Sequence, residues 1–424
     1  MLSKLTAIWK LKELRRAMLF VLLVLTVFRV LAHIPVPGVN LEELRKFFAS
    51  NQILGLLNVF SGGTMENFSI VALGVAPYIT SSIIFQLLAM VIPALEELQK
   101  EGEYGRKKIN QYTRLLTVPL AALQGFGLIS LVRQSNQAIL PGLTPGQTIM
   151  LLVTVTAGTM FLMWIGELIS EKHVGNGISL LIFAGIISNL PRAIQRAILT
   201  FDPAQLIQFI VFALLAIVTI VGVVALTEAQ RNIPVSYARR VRGMRMVGGL
   251  DTHLPLRVNM AGVIPIIFAI SIILFPPMIS QFLIRAKTAW IAGLADFTIR
   301  TFQNQLFYAI AYFVLVVVFT YFYTAVVFQP QQIAENLQKQ GGFIPGIRPG
   351  RATAEYLSYV TNRIIAAGAF ALGTIAILPL IARSLTGGAA LSIGGTSLLI
   401  VVSVVIETVK QVQSQLTMRE YEGL

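Results

Sequence analysis

The 424-residue chain contains no cysteine, which excludes disulfides, thiolate nucleophiles and cysteine-ligated metals. Histidine is almost as scarce. His33, His173 and His253 are too scattered to suggest a metal cluster. Charged residues are only 12% of the chain and hydrophobic ones 55%, a balance that points to lipid rather than water as the main surroundings. No glycine loop of the GxxxxGKS/T kind occurs, so any nucleotide energy must come from a partner. Ionisable groups are also few inside the apolar runs: Arg29 and Glu407 lie within them or near their ends, and Glu167 and Glu228 sit at the margins. No carboxylate relay and no deep Asp/Asp or histidine pair emerges, which argues against proton-coupled transport and against intramembrane proteolysis.

What the chain has in quantity is long apolar runs joined by short polar loops. Measured against a hydrocarbon core of ~30 Å, they give ten spans near 18–34, 71–92, 116–132, 148–169, 178–190, 206–227, 259–280, 305–328, 364–382 and 395–412. The expected fold is therefore an all-α polytopic membrane protein with ten transmembrane helices. Of the 33 Lys and Arg, 23 fall on the side of the two termini and nine on the other, with Arg29 left inside the first span. Positive residues stay inside, so both termini are expected to be cytoplasmic. Leu5, Ile8, Trp9, Lys12, Arg15 and Arg16 read as an interfacial amphipathic helix over 1–17 rather than a cleaved leader.

The stretch 53–92 is too long for one span and is broken by Ser61-Gly62-Gly63 and by Glu66 and Asn67. It fits a re-entrant segment, or equally an external loop with an interfacial helix. Span two is rich in small and hydroxyl residues around Pro77, which suits close helix packing or a moving gate. Two large loops hold the remaining polarity. Loop 228–258 carries Arg231, Arg239, Arg240, Arg242, Arg245 and Arg257, more than orientation alone needs; the surplus suits RNA phosphates or acidic protein surfaces. Loop 329–363 holds Arg348 between Pro345 and Pro349, a cation in a rigid turn suited to docking. On span count and interrupted helices alone, a secondary solute transporter with inverted repeats fits better than a channel, although the near absence of midplane polar ligands speaks against it.

Segments 34–39 (IPVPGV), 60–69 around SGG, 74–87, 100–114 (KEGEYGRKKINQYTR), 175–180 (GNGISL), 253–265 (HLPLRVNMAGVIP), 343–350 (FIPGIRPG) and 394–400 (GGTSLLI) change that balance. In this order and at these spacings, across nearly the whole chain, the sequence resembles the SecY family of protein-conducting channels, which includes archaeal and eukaryotic alpha subunits. The resemblance implies two inverted pseudo-symmetric halves of five spans, 18–190 and 206–412, joined by an external hinge at 191–205 and followed by a cytoplasmic tail at 413–424. It implies a non-enzymatic channel, without a cofactor, that moves unfolded secretory polypeptides across the cytoplasmic membrane and releases transmembrane segments sideways between spans two and seven.

By the same resemblance, Val75, Ile79, Ile178, Ile182, Ile267 and Ile400 match the pore ring. The plug is matched by a re-entrant helix of Leu57, Asn58, Val59, Phe60, Ser61, Gly62, Gly63, Thr64, Met65, Glu66, Asn67, Phe68 and Ser69. Thr80, Gln86 and Asn259 match polar lateral-gate positions, and Arg239, Arg240, Arg242, Arg245 and Arg348 match partner-binding positions. The implied partners are the small membrane proteins SecE and SecG, the ATPase SecA, the ribosome, signal-bearing preproteins and the phospholipid bilayer. Met244 stands where relatives often carry a second arginine, and external loops 133–147 and 281–303 match little.

Overall fold

In lipid, every backbone N–H and C=O must find its partner within the protein, so apolar runs fold as helices. The computed structural model describes residues 11–50, 58, 61–134, 139, 144–199, 206–237, 240–242, 245–247, 251–284, 288–386 and 395–422. Helix dominates, as expected. The elements are α1 (Lys12–Leu31), α2 (Leu41–Ser50), α3 (Ala76–Val91), α4 (Pro93–Lys100), α5 (Glu103–Gln134), α6 (Pro145–Glu171), α7 (Gly177–Leu199) and α8 (Leu206–Glu228). Strands β1 (Gln230–Tyr237), β2 (Arg240–Arg242), β3 (Arg245–Val247) and β4 (Asp251–Arg257) follow, then α9 (Ile264–Leu283), α10 (Ala289–Gln303), α11 (Gln305–Val327), α12 (Pro330–Lys339), β5 (Gly342–Phe343), α13 (Arg351–Thr386) and α14 (Gly395–Glu422).

Each expected span falls on one helix: α1, α3, α5, α6, α7, α8, α9, α11, α13 and α14 in turn. Among the described residues, α5, α6, α9, α11, α13 and α14 are long and apolar enough to cross a membrane outright. The bent pair α3–α4 would add a seventh, and α7 and α8 contribute shorter apolar stretches. The chain is a multi-pass membrane protein.

Several boundaries differ from the sequence reading. α1 starts at Lys12, so the basic residues of the expected amphipathic segment run straight into the first span; residues 1–10 lie outside the described residues. α3 starts only at Ala76, because residues 71–75 form turns. At sixteen residues it is about 24 Å long, and Pro93 then turns the chain by 102° into α4. α5 and α13 extend well before their apolar runs, with exposed polar turns stabilised by i,i+4 pairs such as Lys107–Glu103 at 3.0 Å and Arg351–Glu355 at 3.0 Å. α7 continues through Pro191 to Leu199.

The purely α expectation misses a small sheet. β1 pairs antiparallel with β4, Ile233 opposite Leu254 and Pro234 opposite His253, and its far end pairs with β5, Ser236 opposite Phe343. The order β4-β1-β5 joins the two large loops into one body. Ile233, Val235, Leu256, Leu337, Ile344, Leu357 and Val360 form its buried core.

The helices fall into two groups. α1, α3, α5, α6 and α7 pack among themselves, as do α8, α9, α11, α13 and α14. The groups meet along α3 and α5 against α9 on one side and α7 against α14 on the other. In span order these seams pair two with seven and five with ten, the pattern that two repeated halves of five produce.

Candidate functional site

The six aliphatic residues assigned to a ring all fall in one large apolar cluster. Val75, Ile79, Ile182, Ile267 and Ile400 are each at most 4% exposed, and with the half-buried Ile178 they belong to one apolar cluster shared by both groups of helices. The spacing explains part of this. Val75 caps α3 and Ile79 lies one turn on, while Ile178 and Ile182 repeat the i,i+4 relation in α7, so each pair shares a face. The same cluster contains many ordinary packing residues, among them Phe28, Leu162 and Val404.

Residues 61–69 are mostly buried, Met65 and Phe68 in a second apolar cluster with Val36, Leu44 and Leu73, and they form turns rather than the expected helix. The described part is a run of turns, with Asn58 alone in helical conformation; Leu57, Val59 and Phe60 lie outside the described residues. Glycine geometry accounts for the difference: Gly62, Gly63 and Gly74 all have φ near +60° to +80°, at +83°, +78° and +58°. Gly62 lies so close to Gly185 of α7 that a Cβ at residue 185 would stand 2.3 Å from the Gly62 Cα. A Cβ at Gly63 would meet Asn189 Nδ2 at 2.7 Å.

Polar bonds then fix the segment. Asn58 and Glu66 bond reciprocally: the Asn58 amide donates to Glu66 Oε2 at 2.9 Å, and the Glu66 N–H donates to Asn58 Oδ1 at 2.9 Å. Thr64 Oγ1 lies 2.9 Å from Ser61 O and 3.0 Å from Ala72 O. Arg29 of α1 donates to Gly62 O at 3.0 Å, and Arg45 of α2 donates to Asn67 Oδ1 at 3.0 Å. The backbone of Val36 donates to Phe68 O at 2.9 Å, within the IPVPGV segment. Sequence reasoning noted Arg29 as a charge inside a span but did not connect it to Gly62. The clue was its position, since a span cation needs an internal partner.

Thr80 and Gln86 lie on α3, which packs against α9, and Asn259 lies five residues before α9 begins; the side-chain bonds of all three stay within their own segments. Thr80 turns its hydroxyl back to Ala76 O at 3.0 Å. Gln86 donates to Ser82 Oγ at 3.0 Å, and Asn259 donates to Gly262 O at 3.2 Å. The side-chain carbonyl oxygens of Gln86 and Asn259 are buried and unpartnered. A buried acceptor left without a partner costs about 1–3 kcal/mol. Asn259 also lines a cavity of about 340 Å³ at the sheet end of α9, together with Gly262, Tyr323, Ser403, Glu407 and Lys410. Lys410 is engaged by Glu228 at 2.9 Å and Thr227 O at 3.0 Å.

The expected partner-binding residues fall in two places, Arg348 after β5 of the three-stranded sheet and Arg240, Arg242 and Arg245 on a separate two-stranded ladder of β2 and β3. Arg348 is exposed and follows a turn in which the Ile347 N–H donates to Ile344 O at 3.0 Å; Pro345 and Gly346, the latter at φ +84°, fill the two central positions as a type II turn requires. The Thr353 hydroxyl donates to Arg348 O at 2.9 Å, tying the turn to α13. Arg240 and Arg242 lie in β2 and Arg245 in β3, with Arg242 directly opposite Arg245. Arg239 lies outside the described residues. Among the described residues no group of His, Asp or Glu could hold a metal ion.

The family model of SecY matches residues 69–409. The chain belongs to the SecY family. It is 44% identical over 430 residues to the protein translocase subunit SecY of Thermus thermophilus, covering 99% of this chain and 97% of the relative. It is 43% identical over 445 residues to that of Streptomyces galbus, covering 100% of this chain and 99% of the relative. Among solved structures, a protein-conducting channel shares the fold at a TM-score of 0.66 with 18% identity, covering 93% of this chain and 91% of the other. A SecY structure whose plug domain is described as stabilising the closed state and maintaining a membrane seal matches at 0.64 with 18% identity over the same shares. The channel of a canine ribosome–channel complex matches at 0.62 with 17% identity, again over 93% and 91%. These neighbours are channels rather than catalysts, and they lend no support to a solute transporter.

Proposed function

We propose that this chain is the pore subunit of a protein translocase, conducting unfolded secretory polypeptides through the gap between its two groups of helices and releasing apolar segments sideways along α3 and α9. The observation that carries the reading is the convergence of six aliphatic residues from α3, α7, α9 and α14, and the residue before α3, on one apolar cluster at the meeting of both halves. An apolar constriction resists ions by dewetting, yet its side chains close around varied polypeptides without hydrogen bonds that would trap them. A solute transporter would place polar ligands there instead.

In this reading all ten apolar helices cross the bacterial cytoplasmic membrane, with the termini and the sheet in the cytoplasm. The buried turns of 61–69 act as the plug. They seat under Arg29 and Gly185 and move away when a chain enters. Thr80, Gln86 and Asn259 set the lateral gate's balance, because their two orphaned oxygens gain partners when the seam opens. Arg348 and the β2–β3 arginines dock SecA or the ribosome. SecE and SecG are the expected membrane partners. Co-purification tests the assembly: stable association with a small SecE-like membrane protein and with SecA is the expected result, and a chain that purifies alone under mild detergent contradicts it.

A further inference from the structure

Helix α10 occupies the loop 281–303 that motif reasoning left without a role. Its fifteen residues make a rod of about 22 Å, too short to cross a ~30 Å core. One face is inside the protein: Ala295 is fully buried, Phe302 packs on the main apolar cluster, and the Phe302 ring meets Phe307 of α11 edge-on at 5.3 Å. A second face, about 120° round the helix, is apolar as well. Trp290, Leu294 and Phe297, at i, i+4 and i+7, are 70%, 58% and 69% exposed. A buried side would suffice to hold the helix, so the outward stripe needs its own explanation.

Two observations say what covers it. The stripe continues into the exposed face of α11, where Leu306, Ile310 and Val314 are open; α11 is a crossing helix whose outward face meets lipid. The join between them is fixed by Asn304, which caps α11 by accepting from Leu306 N at 3.0 Å and Phe307 N at 3.4 Å, so α10 sits at the very end of the crossing segment. Its chemistry also suits that depth. Trp is an amphipathic interfacial anchor, and Arg300, paired with Asp296 at 2.8 Å, keeps a charge at the polar end of the helix.

We propose that α10 is an interfacial anchor, lying in the headgroup–acyl boundary with Trp290, Leu294 and Phe297 inserted into lipid. It rests on reading α11 as a membrane span. Because α10 packs against both α9 and α11, the anchor holds the far end of the gate helix α9 at a fixed depth while its other end, beside the sheet, stays free to swing.

The test uses the full chain in phosphatidylcholine vesicles. The sequence has three tryptophans, so replacing Trp9 and Trp164 by Phe leaves Trp290 as the reporter. Phospholipids brominated near the top of the acyl chains should cut its emission roughly two-fold, and those brominated near the chain ends should do less, as an interfacial depth of ~5–10 Å requires. Quenching by aqueous acrylamide instead, or by neither agent, would overturn the proposal in favour of water or a protein subunit as the cover. Should the double Phe variant fold poorly, the cysteine-free chain accepts a single spin label at L294C, with I310C on α11 as the control. Oxygen-accessible labels at both sites support the anchor. A lipid-exposed 310 with a water-exposed or occluded 294 rejects the anchor alone, and failure at both rejects the membrane placement of α11 as well.

Discussion

In the proposed function, the apolar cluster around Ile79, Ile182 and Ile400 and the sheet body around Arg348 solve opposite problems with the same chain. The first is apolar throughout, and Ile79, Ile182 and Ile400 are buried in it. The second is a small sheet core carrying exposed arginine in a turn fixed by Pro345, Gly346 and the Thr353 bond. A seal must offer nothing to bind, whereas a docking surface must offer charge that cannot move aside. Putting them on different elements lets either change without rebuilding the other.

The largest expected effect comes from making the seal resemble the docking surface. Replacing Ile79, Ile182 and Ile400 together by Asn should wet the constriction, raise resting ion conductance at least about ten-fold and relax the demand for a strong signal sequence. Planar-bilayer recording checks this, and a correctly assembled variant with unchanged conductance removes the gasket role. Next in size is Arg348→Glu, which reverses a charge in a turn that cannot yield. Import driven by SecA should fall to a few per cent while resting conductance stays low. Wild-type import would mean that the turn is structural only.

A smaller effect is expected where the buried segment touches a cation. Arg29→Ala removes the donor to Gly62 O and should leave the channel flickering between silent and leaky, as a shift of about 1.5–3 kcal/mol for a charged hydrogen bond implies. Deleting 58–67 should give a comparable intermittent leak in single-channel records, since neighbouring chain can enter the vacated space. A deletion as silent as the wild type counts against a plug. Smallest is the double change R239A/R240A, where an arginine at the rim of an interface is worth roughly 1 kcal/mol, so ribosome or SecA affinity should weaken about ten- to thirty-fold at low salt and converge with wild type at high salt. No difference at low salt would leave orientation as the only use of those charges.

The two regions were also unequally legible from sequence. Apolar runs such as 305–328 announce a helix because lipid leaves no alternative, and each expected span indeed falls on one. The proposed ring positions were readable only in part: i,i+4 spacing gives the shared faces of Val75/Ile79 and Ile178/Ile182, but not that Ile267 of α9 and Ile400 of α14 join the same apolar cluster. The sheet was hidden. Pro234 and Pro255 interrupt the strand signal, and β5 is two residues long with its partner about a hundred residues earlier in the chain. The turns of 61–69 were foreshadowed by Gly62-Gly63, yet a helix was expected through them because their positive φ values and the Gly62–Gly185 approach are tertiary facts. Orphaned oxygens on Gln86 and Asn259 have no sequence signal at all.

The central claim is that one chain passes polypeptides on demand and small solutes not at all. The most direct measurement reconstitutes the purified chain with its small membrane partners in vesicles loaded with a reporter for ions. SecA, ATP and a signal-bearing preprotein are then added in turn. The account predicts no solute or ion flux at rest, and protease-protected preprotein only when SecA and ATP are both present. Saturable solute uptake without SecA, or preprotein import that the triple Asn variant leaves equally well sealed at rest, would contradict it.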